Sequence, residues 1–313
     1  MRGVDTRIDK NDIALLRDLA DYRLMSSAQV AALHFGSKRS ANHRLLQLLK
    51  AGVLDRFAGI PAQGRGRPEG VFCVTEAGLE LLRNEGVISP DVPFTYVGGK
   101  ALEMQVAHQL LLNWFRAHFA YAINRMPDLS TELLSCNSPF ALDVENRYPA
   151  LRDSIETPDC EGSTPCRQSF VPDGVFIIKS KALALGLLFF LEVDMGTETT
   201  ASPSMKPDDL RSKILCYQAY YDQEKYKRYA SLWQTPLNGF RLLFLAHSEQ
   251  RHQGICALVR VMPASNFVWV SNQERLFREG ASGDIWARGG HCDAPPESIL
   301  GDLSCKMPIP ELV

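Results

Sequence analysis

The segment SKRSANHRLLQLLK, residues 37–50, decides how the N-terminal part of this sequence is interpreted. Ser37 is a typical N-cap residue, and apolar residues then recur at helical spacing. These inward residues are Ala41, Leu45, Leu48 and Leu49. The other side of the helix carries the polar and basic residues Lys38, Arg39, Asn42 and His43. The segment therefore predicts an amphipathic helix whose outer face is basic in its N-terminal half.

The segments on either side predict that this helix belongs to a winged helix-turn-helix. Two helices precede it, each introduced by polar N-cap residues, and two strand-like segments and a closing helix follow it. The predicted elements cover, in chain order, residues 13–24, 28–35, 37–50, 53–57, 71–75 and 75–82. Between the two strands, residues 58–70 are rich in glycine, proline and arginine, as expected for the tip of a wing.

Positive charge is concentrated on the central helix and the wing. Between residues 37 and 67, Asp55 is the single acid against seven basic residues. The N-terminal half of a recognition helix enters the major groove, where Arg39 and Asn42 can contact base edges through two hydrogen bonds each. Arginines of the wing suit phosphate or minor-groove contacts. The predicted DNA-binding residues are Lys38, Arg39, Asn42, His43, Arg56, Arg65 and Arg67.

The alternative interpretation of this domain is a protein-interaction module, because winged helices also serve in dimerisation. We favour duplex DNA as the partner. In a winged helix the third helix and the wing contact DNA, and the basic residues cluster on these two elements. A helix pair that only faced solvent would not require this placement.

Composition indicates a soluble globular protein with two domains. The chain has 313 residues, 45% of them hydrophobic and 22% charged, and its formal net charge is −2. Any affinity for DNA must therefore be local to the N-terminal basic patch. The first residues are polar, and the longest apolar run, 182–191, is too short to span a bilayer. We expect a cytoplasmic protein that does not enter a membrane.

The eight cysteines do not predict a metal centre. They include no Cys-x-x-Cys, and the single close pair, Cys160 and Cys166, lacks two further ligands nearby. His247 and His252 are interpreted as exposed histidines at a strand end rather than as a metal pair. We therefore expect isolated reduced thiols and no certain cofactor.

The rest of the sequence predicts a second, α/β domain. The proposed domains are a winged helix over 1–86, a linker over 87–99, the α/β domain over 100–272 and an irregular C-terminal tail over 273–313. Within the second domain the predicted helices cover 100–126, 208–226 and 248–261, and the strands include 170–178, 185–194, 240–247 and 267–270. The order of these elements predicts a mixed sheet flanked by helices, with 185–194 as a central strand and 149–167 as a mobile loop.

Several of these segments resemble the replication-relaxation family of plasmids and other mobile elements. In the N-terminal domain the similar segments are 17–23, 28–36 and 49–56. Downstream they are the Val-Pro-Asp-Gly of 171–174, the Phe-Leu-Glu-Val-Asp-Met-Gly-Thr-Glu of 190–198, and Lys213 and Tyr217. The resemblance covers about residues 10–250 and implies a DNA-binding protein associated with the control of replication.

The second domain also resembles a restriction-endonuclease-like core, which combines a helical Glu, an Asp at one strand end and Glu-x-Lys on the next strand. By this resemblance, the three acids of the core correspond here to Glu103 for the helical Glu, Asp173 for the Asp at the strand end and Glu192 for the Glu of Glu-x-Lys. Residues two apart in a strand share a face, so Asp194 is expected beside Glu192, and the carboxylates would hold Mg²⁺. Asp194 occupies the position of the expected lysine, and Lys213 is the candidate to replace that lysine.

These observations leave three functional hypotheses. The first is a sequence-specific duplex DNA-binding regulator of replication or transcription on a plasmid or other mobile element, acting as a homodimer. The second is a metal-dependent DNA endonuclease that uses Asp173, Glu192, Asp194 and Lys213, with Asp173 and Glu192 as Mg²⁺ ligands. The third is a protein-binding adaptor. We favour the first, and interpret the acidic block as a scaffold that has lost nuclease chemistry rather than as an enzyme.

Overall fold

The fold is taken from a computed structural model. It describes residues 7–57, 69–94, 102–143, 148–149, 151–157, 166–182, 185–197, 209–263 and 265–310. For 102–104, 141–143, 148–149, 157 and 166 it describes the backbone alone. Most of the predicted wing, with Arg65 and Arg67, lies outside the described residues, as do the side chain of Glu103 and residue Cys160.

The chain divides into two compact units. Unit 1 comprises Met1–Ala117, Asn137–Tyr148 and Ile309–Val313, and unit 2 comprises His118–Cys136 and Pro149–Pro308. The helix Leu102–Ile123 therefore contributes residues to both units.

Unit 1 contains helices packed on a small antiparallel sheet. Its elements are α1 (Lys10–Tyr22), β1 (Met25–Ser26), α2 (Ser27–Val30), a π-helical turn (Ala31–Phe35), α3 (Lys38–Lys50), β2 (Leu54–Phe57), β3 (Val71–Val74), α4 (Glu76–Asn84), the first part of α5 (Leu102–Ile123), β5 (Leu142–Asp143) and β6 (Tyr148–Pro149). The three strands β1, β2 and β3 form a sheet in the order β1-β3-β2. Leucines of α1, α3 and α4 are buried against this sheet and form the core of the unit.

Local sequence accounts for the ends of these helices. The N-cap of α3 is Ser37, whose hydroxyl accepts a hydrogen bond from the backbone N–H of Ser40. Helix α1 begins earlier than expected, because Asp9 is its N-cap and forms a capping box with Asp12. The left-handed conformation of Gly36 ends the π-helical turn and separates it from α3.

Unit 2 is a mixed sheet flanked by helices, as the sequence predicted. Besides the end of α5, its elements are β4 (Leu129–Ser135), β7 (Asp153–Thr157), β8 (Cys166–Phe170), β9 (Gly174–Ser180), β10 (Leu185–Asp194), α6 (Leu210–Asp222), α7 (Arg228–Trp233), β11 (Phe240–Ala246), α8 (Glu249–Arg260), β12 (Val268–Asn272), α9 (Gln273–Glu279) and β13 (Ala287–Arg288). The six-stranded sheet has the order β13-β12-β11-β10-β9-β4. Strands β10, β11 and β12 are parallel, and β4, β9 and β13 run antiparallel to their neighbours.

Strand β10 occupies the interior of the sheet because seven successive residues from Leu188 to Asp194 are buried. It is paired on one side with β9, where Leu191 is opposite Gly174, and on the other with β11, where Glu192 is opposite Phe244. A strand with two neighbours and helices above it needs apolar residues on both faces, which explains the continuous apolar run.

Three expectations about unit 2 were wrong. The described parts of 149–167 are not a mobile loop, because β7 and β8 pair antiparallel and bury Asp153. In the predicted helix 208–226 the sequence favours Tyr217 and Tyr221 as inward residues, but the buried tyrosines of α6 are Tyr217 and Tyr220, and Tyr221 is 41% exposed. The segment after residue 272 is not an irregular tail throughout, since it supplies α9 and β13 and buries Trp286 completely.

No described helix combines the length and the apolar character that a membrane crossing requires.

Candidate functional site

The outer face of α3 presents side chains to solvent where the sequence predicts DNA contacts. Lys38, Arg39, Asn42 and His43 are all exposed, while Ala41, Leu45 and Leu48 on the other side of the helix are buried and Leu49 is partly buried. Arg56, on β2, is also exposed, and its guanidinium lies 5.9 Å from the centre of the Phe72 ring. These side chains are available to a partner in the described part of unit 1.

One residue of this face was missed by the sequence analysis. Leu46 follows Asn42 and His43 by one helical turn and is 50% exposed. The missed signal is simple: Leu46 falls outside the inward spacing that Leu45 and Leu48 define. In a major groove an apolar side chain at this position would suit contact with a thymine methyl group.

Arg44 does not contribute to the exposed charge. Its Nε donates to Asp12 Oδ1 at 2.6 Å, its second guanidinium nitrogen bonds the other Asp12 oxygen, and its Nη1 donates to Gln47. Burial by itself would raise the pKa of Asp12, but hydrogen bonds from Arg44 and the Asp9 backbone outweigh burial and lower that pKa. Arg44 therefore joins α3 to α1, and the basic patch has one cation fewer than the sequence count.

In unit 2, Glu192 is the centre of a buried polar network. The Tyr217 hydroxyl donates to Glu192 Oε1 at 2.6 Å, and Lys213 Nζ lies 3.4 Å from Glu192 Oε2. Both partners lie on α6, one turn apart, so they project from the same face of the helix and contact the same carboxylate. Burial and the negative charges of Glu192 and Asp173 raise the pKa of Tyr217, which therefore remains a hydrogen-bond donor at neutral pH.

The three predicted acids are engaged differently. Asp173 Oδ2 accepts a hydrogen bond from the backbone N–H of Val193 at 2.8 Å, just beyond the end of the β9–β10 ladder. Asp194, in contrast, binds the Arg251 guanidinium of α8 through both oxygens, at 2.6 and 2.8 Å. The structure thus brings Asp173 and Glu192 near the same tyrosine, while Asp194 forms an ion pair with another helix.

The contacts of Glu192 bear on whether this site could hold Mg²⁺. Mg²⁺ needs several free oxygens in near-octahedral geometry. Both oxygens of Glu192 are already bound by Tyr217 and Lys213. Among the described residues, the acids do not form a group of three ligand atoms close enough to share an ion. Chemically, the network neutralises a buried carboxylate and connects α6 to the sheet.

Asp153, on β7, is another buried acid of unit 2. Arg228 Nε is 2.8 Å from Asp153 Oδ1, and the Tyr229 hydroxyl donates to Asp153 Oδ2 at 2.9 Å. Burial raises the pKa of Asp153 despite these two partners. The sequence signal that was missed is the alternation of Leu151, Asp153 and Ile155 with polar residues, which is typical of a strand.

His252 was placed incorrectly by the sequence analysis. It lies on α8 and is completely buried, so it is not an exposed histidine at a strand end. His247 follows β11 and is partly buried, and its backbone N–H donates to the carbonyl of Asp194 at 2.9 Å. The two histidines therefore have different environments.

Comparison with known proteins identifies one family. A family model described as replication-relaxation matches residues 16–234, which is well over half of the chain. Neither the curated proteins nor the solved structures gave a match. The matched range includes α3 of unit 1 and the Glu192 network of unit 2.

Proposed function

Because the chain belongs to the replication-relaxation family, we propose that it is a sequence-specific duplex DNA-binding protein that regulates replication or transcription on a plasmid or other mobile element. The observation that carries the proposal is the exposed polar and basic face of α3.

We propose that unit 1 is a winged helix and that α3 is its recognition helix. In support, its elements follow the order helix, strand, two helices, two strands and helix, and β2 and β3 pair antiparallel on either side of residues 58–70. The hydrophobic core lies behind α3, so the helix has one face left for a partner. A helix inserted into the major groove needs such a free face with hydrogen-bond donors near its N-terminus.

Electrostatics supports DNA as that partner. Exposed residues Lys38, Arg39 and Arg56 lie in one short region of a chain with a net charge of −2. Arg44 is already paired with Asp12, whereas Arg39 forms no ion pair with a described acid. An exposed guanidinium near a helix N-terminus is suited to the two acceptors of guanine in the major groove.

The test is binding to duplexes selected from a random pool, measured by fluorescence anisotropy. Replacing Arg39 by Ala should weaken binding to the selected duplex by about 1–3 kcal/mol and reduce its preference over a scrambled duplex. The matched control is Arg17→Ala, which removes a similarly exposed arginine of α1. Equal affinity and equal preference in wild type and Arg39→Ala would refute the proposal for α3.

Nuclease activity is the second hypothesis, favoured only by the approach of Lys213 to Glu192. We propose instead that unit 2 is a scaffold, because the Glu192 oxygens are occupied and Asp194 is paired with Arg251. Supercoiled plasmid incubated with the protein and Mg²⁺ or Mn²⁺ should remain intact. Metal-dependent nicking that disappears in Glu192→Gln and in Lys213→Ala would show that the scaffold proposal is wrong.

We further propose that the protein acts as a homodimer. A single winged helix reads one half-site, and a two-fold protein recognises paired half-sites with matching symmetry. Light scattering coupled to gel filtration, at micromolar protein, should give the mass of two chains without DNA and of two chains plus one duplex with the selected duplex. A mass that contains a single chain both with and without DNA would contradict the dimer.

A further inference from the structure

Unit 2 contains a cluster of metal-ligating side chains that lies outside the Glu192 network. His252 and Cys256 are four residues apart on α8, so they project from the same face of the helix. Cys292 approaches them from the segment that follows β13. One ligand atom from each residue lies within 4.8 Å of the other two, and no other group of three His, Cys, Asp or Glu residues does so in the part of the chain that is described.

The distance between the first two ligands matches that of a zinc site. His252 Nε2 and Cys256 Sγ are 3.6 Å apart. With Zn–N of about 2.0–2.1 Å and Zn–S of about 2.3 Å at tetrahedral angles, the expected N···S separation is about 3.6 Å. His252 and Cys256 are buried, at 0% and 1% exposure, so their positions are fixed by the surrounding core.

The other nitrogen of His252 faces a carboxylate. His252 Nδ1 lies 3.4 Å from Glu249 Oε1, and Glu249 is itself held by hydrogen bonds from Asn272 and Gln253. A carboxylate behind a metal-binding histidine sets the orientation of the imidazole ring and makes it a better ligand.

A turn that contains Gly290 places Cys292 beside His252 and Cys256. Gly290 has φ +75°, and a Cβ on it would lie 2.4 Å from the carbonyl oxygen of Cys256. Only glycine permits this close approach of the turn to α8. The Cys292 side chain is exposed at the surface, which leaves the outer side of the cluster open to solvent.

From this geometry we propose that His252, Cys256 and Cys292 bind one Zn²⁺ ion, with a water molecule as the fourth ligand. Thiolate sulfur and imidazole nitrogen are the ligands that zinc prefers. Binding displaces the protons of the two thiols to solvent, and the imidazole binds through its unprotonated Nε2. The ion connects the turn after β13 to α8 and so stabilises the edge of the sheet that β13 forms.

The experiment uses the full chain, purified with a cleavable tag that is removed, then equilibrated with Zn²⁺ and passed through gel filtration. Metal analysis should find about one zinc per chain in the wild type, and the apparent melting temperature should rise with zinc concentration. Replacing zinc by Co²⁺ should give thiolate-to-cobalt charge-transfer absorption together with the visible bands of tetrahedral cobalt.

The informative variant is Cys292→Ser, because the exposed position allows the protein to fold. It should lose the zinc, the cobalt absorption and the dependence of melting temperature on zinc. Cys305→Ser removes a partly buried thiol of the same unit and should retain all three. Circular dichroism checks that both variants are folded.

Two results would overturn the proposal. One is zinc retained at wild-type stoichiometry in Cys292→Ser, which would place the ion elsewhere. The other is a wild-type chain without bound zinc, in which mass spectrometry of the non-reduced protein finds a Cys256–Cys292 disulfide or two free thiols.

Discussion

At the scale of single residues, unit 2 shows how a carboxylate is tolerated inside a protein. Glu192 is 4% exposed, and a buried charge without partners is strongly unfavourable. The Tyr217 hydroxyl and the Lys213 ammonium supply those partners from one helix. Asp194 obtains the same compensation from Arg251. The network therefore stabilises the packing of α6 and α8 on the sheet only while every partner is present.

Removing the Tyr217 hydroxyl tests this account. Tyr217→Phe leaves Glu192 with one donor fewer in a buried site and should lower the free energy of unfolding by about 1–3 kcal/mol. Tyr221→Phe is the matched control on the same helix, because Tyr221 is 41% exposed. Its effect should stay below about 0.5 kcal/mol in urea unfolding. Equal effects of the two variants would contradict the role given to Tyr217.

The ion pair of Asp12 and Arg44 should make the stability of unit 1 depend on pH. Asp12 has a lowered pKa in the folded protein, so its contribution is present above the ordinary aspartate pKa and is lost as pH falls through the folded pKa. Asp12→Asn should therefore be less stable than wild type at neutral pH, with a difference that narrows below about pH 4.

Urea unfolding at a series of pH values measures that difference. Asp91→Asn, at an exposed position of the same unit, is the control and should follow the wild-type curve. A gap between Asp12→Asn and wild type that stays constant down to acid pH would exclude the ion pair as its cause.

At the scale of elements, two helical glycines differ in the space around them. A Cβ on Gly78 of α4 would lie 2.3 Å from the carbonyl oxygen of Val53 and 2.8 Å from Val74 Cγ1. A Cβ on Gly254 of α8 would meet nothing within 4 Å. Gly78 therefore lets α4 pack directly against β3 and against Val53, the residue before β2, whereas Gly254 has no such packing role.

Alanine substitutions should separate these cases. Gly254→Ala should stabilise the protein by up to about 1 kcal/mol through helix propensity. Gly78→Ala should instead destabilise it by about 1–3 kcal/mol, because the backbone of Val53 must move. Differential scanning calorimetry shows whether each variant is more or less stable than the wild type. A stabilising effect of Gly78→Ala would show that α4 is not packed as described.

At the scale of the whole molecule, a net charge of −2 means that attraction to DNA comes from one region. Phosphate contacts from the predicted wing should contribute to affinity for every sequence. Replacing Arg65 and Arg67 by Ala should weaken binding to selected and scrambled duplexes alike, and should flatten the slope of log K against log[salt] by about 1–2.

Binding titrations at several salt concentrations measure that slope. The control is the Arg39→Ala variant, which should reduce the preference for the selected duplex over the scrambled one. The double wing variant should change that preference less, because phosphate contacts do not depend on the base sequence. If the double variant kept the wild-type slope, the two wing arginines would not contact phosphates.

The sequence by itself determined the elements whose pattern is local. Helical spacing in 37–50 gave α3 and its exposed face, and the apolar run of 185–194 gave β10 with its bounds. The Asp9 and Asp12 capping box is local in the same way, although the sequence analysis expected α1 to begin only at residue 13. These properties follow from side-chain direction, which repeats every 3.6 residues in a helix and every two in a strand.

Only the tertiary structure decided which distant side chains meet. It paired Arg44 with Asp12, Asp194 with Arg251 and Glu192 with Tyr217, and it brought Cys292 to His252 and Cys256. The physical reason is that such contacts depend on how elements pack and on turns such as Gly290, and periodicity carries no information about either.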